Sequence, residues 1–138
     1  MKPDYKNWIP KGMLFSLIAG TVLSLALLLV FAEHITLPKG GVGLDIGCGS
    51  GALTIACAKR NPQGKMIGID RWGKEYASFS LPLCEKNAAA EGVKNASFQR
   101  GNAVKLDFPD ESFDAVTSNY VYHSFMNYSI TALSIMAL

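Results

Sequence analysis

The chain has 138 residues and a formal net charge of +2, which allows one small core and gives no sign of a nucleic-acid-binding surface. Its three cysteines, Cys48, Cys57 and Cys84, are odd in number and lack C-x-x-C spacing. They fit a reducing compartment better than a disulfide framework or a zinc site. We therefore expect one small domain that binds neither metal nor nucleic acid.

An apolar stretch dominates the N-terminal part of the chain. A polar tail, residues 1–11, precedes Gly12 to Ala32, which contains no charged residue. As a helix this stretch would be about 31 Å long, enough to cross a bilayer core. We predict a transmembrane helix over residues 12–32 that anchors the protein to a membrane. A cleaved signal peptide is the alternative, although its apolar core would be unusually long.

A glycine-rich turn follows the first predicted strand. Val42 to Ile46 is a short apolar run suited to a buried strand, and Ala52 to Arg60 is helix-forming. Between them lie Gly47, Gly49 and Gly51. Glycines let a ligand lie against bare backbone, and a helix N-terminus offers N–H groups to an anion. This order predicts the start of a ligand-binding βαβ unit.

Two classes of ligand use such a turn. Gly47, Gly49 and Ala52 satisfy the dinucleotide fingerprint G-x-G-x-x-G/A, so a nicotinamide or flavin dinucleotide stays an alternative. Asp45 discriminates between the classes, because a carboxylate two residues before the first glycine would lie beside the ligand. A dinucleotide has its negative pyrophosphate there, so a ligand with an ammonium group is the better partner.

The rest of the chain predicts three further strands and one helix. We place the helix at 73–92, with a kink at Pro82, because proline removes a backbone hydrogen bond. Gly92 would end it. The predicted strands are Lys65 to Asp70, Ala96 to Arg100, and Phe113 to Val121.

An acidic residue closes the second predicted strand. Asp70 lies about 20 residues after the glycine turn, the spacing of an acid that binds ribose hydroxyls. Helix capping is the alternative role for such a residue. Arg71 and Trp72 follow it, and Trp72 would either cover an adenine face or fix the surface to the core.

Three stretches of the chain together resemble a known family. Asp45-x-Gly47-x-Gly49-x-Gly51 resembles the first motif of class I S-adenosylmethionine-dependent methyltransferases, whose ligand carries an ammonium and a sulfonium. Gly101-Asn102-Ala103 resembles the family's third motif, Gly-Asp-Ala, in which the acid binds the adenine amino group. The Asn102 amide oxygen can accept the same hydrogen bond without charge, so somewhat weaker binding is expected. Residues 108–123 resemble the loop and fourth strand of small-molecule methyltransferases that act on quinone precursors or arsenite.

The resemblance implies an α/β fold, with a Rossmann-like parallel sheet that forms the first four strands of a seven-stranded class I methyltransferase domain. The S-adenosylmethionine-binding domain would be partial, over residues 42–128, and would end in an apolar tail, 129–138. We therefore expect a truncated chain. The cofactor implied is S-adenosyl-L-methionine, and the residues implied to bind it are Asp45, Gly47, Cys48, Gly49, Gly51, Asp70, Arg71, Trp72, Asn102, Ala103 and Asn119.

Candidates for the methyl-acceptor side lie at and beyond the end of the fourth strand. Asn119, Tyr120 and His123 could face the methyl group, and His123 could act as a base. Packing of a strand end is the alternative for Tyr120 and His123. The family's Asn/Asp-Pro-Pro-aromatic motif for nucleic-acid bases is absent, whereas the N-terminal helix favours a small lipophilic acceptor. We predict methyl transfer to a small molecule; the alternatives are an NAD(P)- or FAD-binding oxidoreductase fragment and an inactive membrane-anchored remnant.

The charges beside the apolar stretch conflict with this function. Lysines precede it and Glu33 follows it, so the positive-inside rule would leave the domain outside the cytoplasm after one crossing. We expect a membrane protein with its catalytic domain on the cytoplasmic side, where the cofactor is. This requires a second crossing, and the linker, residues 33–41, has no room for one. We therefore expect that a segment is missing between Phe31 and Leu37.

Overall fold

The computed structural model describes residues 11–74 and 78–118. One long helix precedes an alternation of strands and helices in these parts of the chain. The helices and strands, in chain order, are α1 (Lys11–His34), β1 (Val42–Ile46), α2 (Ala52–Arg60), β2 (Lys65–Asp70), α3 (Leu81–Ala90), β3 (Ala96–Arg100) and β4 (Ala115–Ser118).

The four strands form one parallel sheet in the order β3-β2-β1-β4. The bounds predicted for β1, α2, β2 and β3 are confirmed. After β1, the chain forms β2 and then β3 on one side of β1. It later returns to form β4 on the other side of β1. In open α/β sheets such a reversal makes a crevice at the carboxyl ends of the strands, where ligands bind. The glycine turn after β1 lies at this position.

Strand β4 begins two residues later than predicted, at Ala115. Asp114 donates its backbone N–H to the Val42 carbonyl at 2.8 Å, and its Oδ2 accepts the Val42 N–H at 2.8 Å. Because a side-chain oxygen takes the bond that a strand carbonyl would otherwise accept, the regular ladder starts after Asp114. The predicted end of this strand, Val121, lies outside the described residues.

Both faces of the sheet are covered by apolar side chains. Leu44 of β1 and Ile69 of β2 are buried on one face beneath the segment before β4. Phe108 and Phe113 of that segment meet edge to face, with ring centroids 4.8 Å apart. Met66 of β2 belongs to the other cluster, which α2 and the end of α1 complete. The segment before β4 is thereby packed against the sheet.

The predicted N-terminal helix is present as α1. Within its stretch Gly12–His34, an 18-residue window has a mean hydropathy of 2.6 and is exposed, so by length and composition the helix could cross a membrane, as could a signal sequence. The C-terminal end of α1 instead packs against the domain. Ala32 is buried in a cluster with residues of α2, and Glu33 forms an ion pair with Arg60 at the end of α2. The C-terminal end of α1 is therefore part of the domain core.

Asn61 joins the segment after α1 to the end of α2. Its Oδ1 accepts the Leu37 N–H at 2.7 Å, and its Nδ2 donates to the carbonyls of Ile35 and Cys57, both at 2.9 Å. The side chain is buried, so these three bonds are made away from competing water. Asn61 thereby fixes the path by which the chain enters β1.

We expect Asn61→Ala to lower the free energy of unfolding by about 1–3 kcal/mol, because three main-chain groups, two of them partly buried, each lose a hydrogen bond to this side chain. The measurement is chemical denaturation of the full chain in mild detergent. Gln63→Ala, at an exposed neighbouring position, is the matched control and should change little. Equal stability of the two variants would show that the three bonds of Asn61 contribute nothing measurable.

The prediction of a kinked helix over 73–92 was wrong at its N-terminal end. Helix α3 begins at Leu81, with Ser80 as its N-cap and Pro82 in its first turn. Proline costs no hydrogen bond at that place, since first-turn N–H groups have no partner within the helix. Gly92 ends the helix as predicted, with φ of 69°. Its N–H bonds the Ala89 carbonyl, as in a glycine-terminated helix.

Candidate functional site

The glycine turn is held against the end of β2. The N–H groups of Gly47 and Cys48 both donate to the Ile69 carbonyl, at 2.8 and 3.1 Å. Gly47, Gly49 and Gly51 have φ values of 75°, 56° and 84°, which residues with a side chain rarely adopt. The three glycines are therefore required by the backbone path, and they leave its surface bare.

Asp70 is tied directly to this turn. Its Oδ2 accepts the Gly49 N–H at 3.0 Å, and its Oδ1 accepts the Trp72 N–H at 2.8 Å. A carboxylate oxygen has two lone pairs, so each oxygen retains the capacity for a further hydrogen bond. The side chain is half-buried at the carboxyl end of β2. Two ligand hydroxyls could be accepted there while the turn stays fixed.

Trp72 packs beneath the turn. This is the second of its two predicted roles, in which it fixes the surface to the core. It is 8% exposed, belongs to one buried cluster with Cys48 and Cys84, and donates its Nε1–H to the Gly49 carbonyl at 2.9 Å. Its φ of 43° is rare for a large residue. The neighbouring Arg71 is exposed, and its carbonyl accepts a bond from Arg100 at 3.1 Å.

Phe79 is an aromatic residue at the turn that the sequence analysis missed. A Cβ at Gly49 would lie 3.8 Å from its ring, and the side chain is 39% exposed. An exposed ring over bare backbone can cover the flat face of a base. The available signal was an aromatic residue immediately before the cap of α3.

Asp45 lies inside the sheet beneath the turn. Its Oδ2 accepts the Thr54 hydroxyl at 2.6 Å, and its Oδ1 accepts the Thr117 hydroxyl at 3.1 Å. Burial raises the pKa of this carboxyl, and the two hydroxyl bonds oppose that rise. Asp45 thus connects β1 to α2 and β4, and its predicted contact with a ligand stays a prediction.

The raised pKa of Asp45 predicts a pH-dependent stability. The folded state holds the proton more tightly than the unfolded state, so the free energy of unfolding falls as pH rises from about 4 through the raised pKa. Asp45→Asn removes this titration. We expect the variant to gain stability relative to the native chain as pH rises across that range, measured by denaturant titrations at several pH values. A difference independent of pH would contradict the assignment.

The third predicted motif lies beside Asp70. Gly101 donates its N–H to the Asp70 carbonyl at 3.0 Å, and Ala103 packs against the cluster that contains Ile69. The Asn102 amide oxygen accepts the Val104 N–H at 3.0 Å, which shapes the loop and leaves the oxygen a second lone pair. The structure therefore brings the first and third motifs to one edge of the sheet.

The acceptor-side candidates Asn119, Tyr120 and His123 lie outside the described residues. Within residues 11–74 and 78–118, no three His, Cys, Asp or Glu side chains are grouped to hold a metal ion.

Helix α2 begins after Gly51 with no side-chain cap, so N–H groups of its first turn can receive an anionic group. Together with the Asp70 carboxylate, which can accept two hydroxyls, this arrangement suits a nucleoside that carries an anionic group.

The sheet order, the glycine turn and the acid at the end of β2 are those of a class I methyltransferase fold. The model of a family described as a methyltransferase domain matches residues 37–136, well over half of the chain. The chain belongs to this family, whose methyl donor is S-adenosyl-L-methionine.

Similar proteins agree with this assignment. The demethylmenaquinone methyltransferase of Geobacillus stearothermophilus is 36% identical over 89 residues, which are 64% of this chain and 36% of that protein. The crystal structure of the YcgJ protein of Bacillus subtilis is 36% identical, with a TM-score of 0.56, over 75% of this chain and 40% of that one. A structure described as an S-adenosyl-L-methionine-dependent methyltransferase, from Methanococcus maripaludis, has a TM-score of 0.63 over 97% of this chain and 60% of that one. At 22% identity it supports the fold alone.

The chain is shorter than these proteins. It spans 36% of the length of the Geobacillus enzyme and 40% of the YcgJ chain.

Proposed function

We propose that this chain binds S-adenosyl-L-methionine at the glycine turn and serves methyl transfer to a small apolar acceptor of the quinone-precursor type. The observation that carries the proposal is the bond between the Gly49 N–H and Asp70 Oδ2, 3.0 Å long. It holds a carboxylate at the edge of bare backbone, where ribose hydroxyls and a charged amino-acid group can be recognised together.

Each part of the site would hold a different part of the cofactor. Asp70 would accept the ribose hydroxyls, and the glycine turn with the start of α2 would receive the amino-acid end. Asn102 and Ala103 would meet the adenine edge, with Phe79 at its face. The cofactor supplies a methyl group on a positively charged sulfur, so the protein contributes mainly binding and alignment.

Two observations support an apolar acceptor. The relative from Geobacillus is a demethylmenaquinone methyltransferase, and an acceptor of that kind is lipid-soluble. Helix α1 exposes an apolar surface long enough to cross a bilayer, which would keep the domain near such an acceptor. Membrane attachment through α1, with the domain on the cytoplasmic side, is part of the proposal. So is the role of His123 as a base, with Tyr120 as the other catalytic candidate.

The test is transfer of a labelled methyl group by the full chain in detergent or lipid vesicles. Acceptors would be a demethylated naphthoquinol, arsenite and a small amine, with organic extraction separating the first from the others. We expect label in the quinol product alone. Transfer only to arsenite or the amine would contradict the acceptor class. Cofactor binding without transfer to any acceptor would favour an inactive remnant.

A further inference from the structure

Two thiols from distant parts of the chain meet beneath the glycine turn. Cys48 lies in the turn, and Cys84 is the fourth residue of α3. Both belong to one buried cluster with Trp72. The Cys84 thiol is 3.2 Å from the carbonyl oxygen of Gly49, the residue after Cys48. Cys84 is fully buried, whereas Cys48 retains 8% exposure.

The two thiols also affect each other's pKa. A hydrogen bond between the two side chains raises the pKa of the Cys48 thiol and lowers that of Cys84. Cys84 is therefore the more acidic thiol of the two, whereas Cys48 is the one that retains exposure. Thiolates are the form of cysteine that attacks peroxides and disulfides.

Cys57 provides an internal comparison. It is fully buried in the separate cluster beneath α1, and burial raises its pKa to about 12. Neither Cys48 nor Cys84 belongs to that cluster. Cys57 is therefore a cysteine of equal burial in the same chain without a thiol neighbour in its cluster.

We propose that Cys48 and Cys84 are a redox pair that a hydroperoxide converts to a disulfide, which weakens cofactor binding at the glycine turn. One sulfur, as the thiolate, attacks a peroxide oxygen; the O–O bond breaks, and a sulfenic acid and an alcohol or water result. The second thiol attacks the sulfenic sulfur, the S–O bond breaks, and water leaves as the S–S bond forms. The two electrons taken from the thiols reduce the one hydroperoxide.

The disulfide would act on the cofactor site through Gly49. The Cys84 thiol and the Trp72 indole now donate to the Gly49 carbonyl, and the Gly49 N–H holds Asp70. Drawing Cys48 to within covalent distance of Cys84 removes the thiol bond and moves the turn. The expected loss of cofactor affinity rests on the proposed function, whereas formation of the disulfide does not.

The experiment treats the full chain in detergent with excess hydrogen peroxide and follows it by intact mass and peptide mapping. We expect a loss of two hydrogen masses, a single crosslink between the Cys48 and Cys84 peptides, and reversal by dithiothreitol. Cys57→Ser should keep the crosslink, and Cys84→Ser should lose it. Peptide mapping of the native chain shows whether this crosslink forms, even if Cys84→Ser does not fold.

The second measurement is affinity for S-adenosylhomocysteine before and after oxidation. We expect a loss of about fivefold or more, within the range of ordinary coupling between sites, and recovery on reduction. No crosslink, a crosslink through Cys57, or over-oxidation of Cys48 alone would overturn the pair. A mapped crosslink with unchanged affinity would overturn its effect on the site. Absence of binding by the reduced chain, with the crosslink formed, would count against the proposed function and leave the redox pair supported.

Discussion

Asp70→Ala is expected to weaken binding of S-adenosylhomocysteine by about 1.5–3 kcal/mol, or roughly 10- to 150-fold, the contribution of hydrogen bonds to a charged group. Asp70 holds the Gly49 N–H and the Trp72 N–H with separate oxygens. The substitution thus removes both a ligand acceptor and the bond that fixes the turn. Titration calorimetry on the full chain in detergent measures the effect.

Two further variants separate these contributions. Asp110→Ala removes a carboxylate at an exposed position in the segment before β4, and its affinity should match that of the native chain. Asp70→Asn keeps the shape of the side chain and loses its charge, so its affinity should lie between those of the native chain and Asp70→Ala. An unchanged affinity for Asp70→Ala, in a variant that retains its fold, would remove Asp70 from the site.

The second large effect is expected at Gly51. Its φ of 84° is unfavourable for any residue with a side chain, and a Cβ there would lie 2.8 Å from the Phe98 ring. We expect Gly51→Ala to lower the free energy of unfolding by about 2–5 kcal/mol, from backbone strain together with overpacking. Chemical denaturation of the full chain in detergent measures the loss.

Gly92 provides the matched control for this substitution. It also has a positive φ, 69°, but a Cβ there would meet nothing within 4 Å. Gly92→Ala should therefore cost only the backbone term, about 1–2 kcal/mol. The difference between the two variants reports the contact with Phe98. Equal losses at the two positions would mean that the ring moves aside without cost.

Most of the sheet could be predicted from local sequence signals. Strand β1, the glycine turn and α2 follow from an apolar run, three glycines and a helix-forming segment, and β2 and β3 follow from short apolar strands between turns. The first and third motifs could be placed together because carboxyl ends of parallel strands share one edge of a sheet. Here local propensity and the final fold agree.

The details that could not be predicted depend on contacts between distant residues. Asp45 bonds Thr117 because β1 and β4 are paired with those two residues in register, and local sequence does not show that register. The positive φ of Trp72 accompanies a bond from its indole to Gly49, across 23 residues. The start of α3 is different, because Ser80 and Pro82 were local signals of a helix N-terminus. The predicted helix ran past both signals because apolar residues before Ser80 continue the helical spacing.

The most direct test of the central claim is calorimetric titration of the full chain in detergent with S-adenosylhomocysteine and, separately, with NAD⁺. The site has a carboxylate bonded to bare glycine backbone and belongs to a methyltransferase domain. We predict saturable binding of S-adenosylhomocysteine at one site, weakened roughly 10- to 150-fold in Asp70→Ala, and no measurable binding of NAD⁺. Saturable binding of NAD⁺, with none of S-adenosylhomocysteine, would contradict the account.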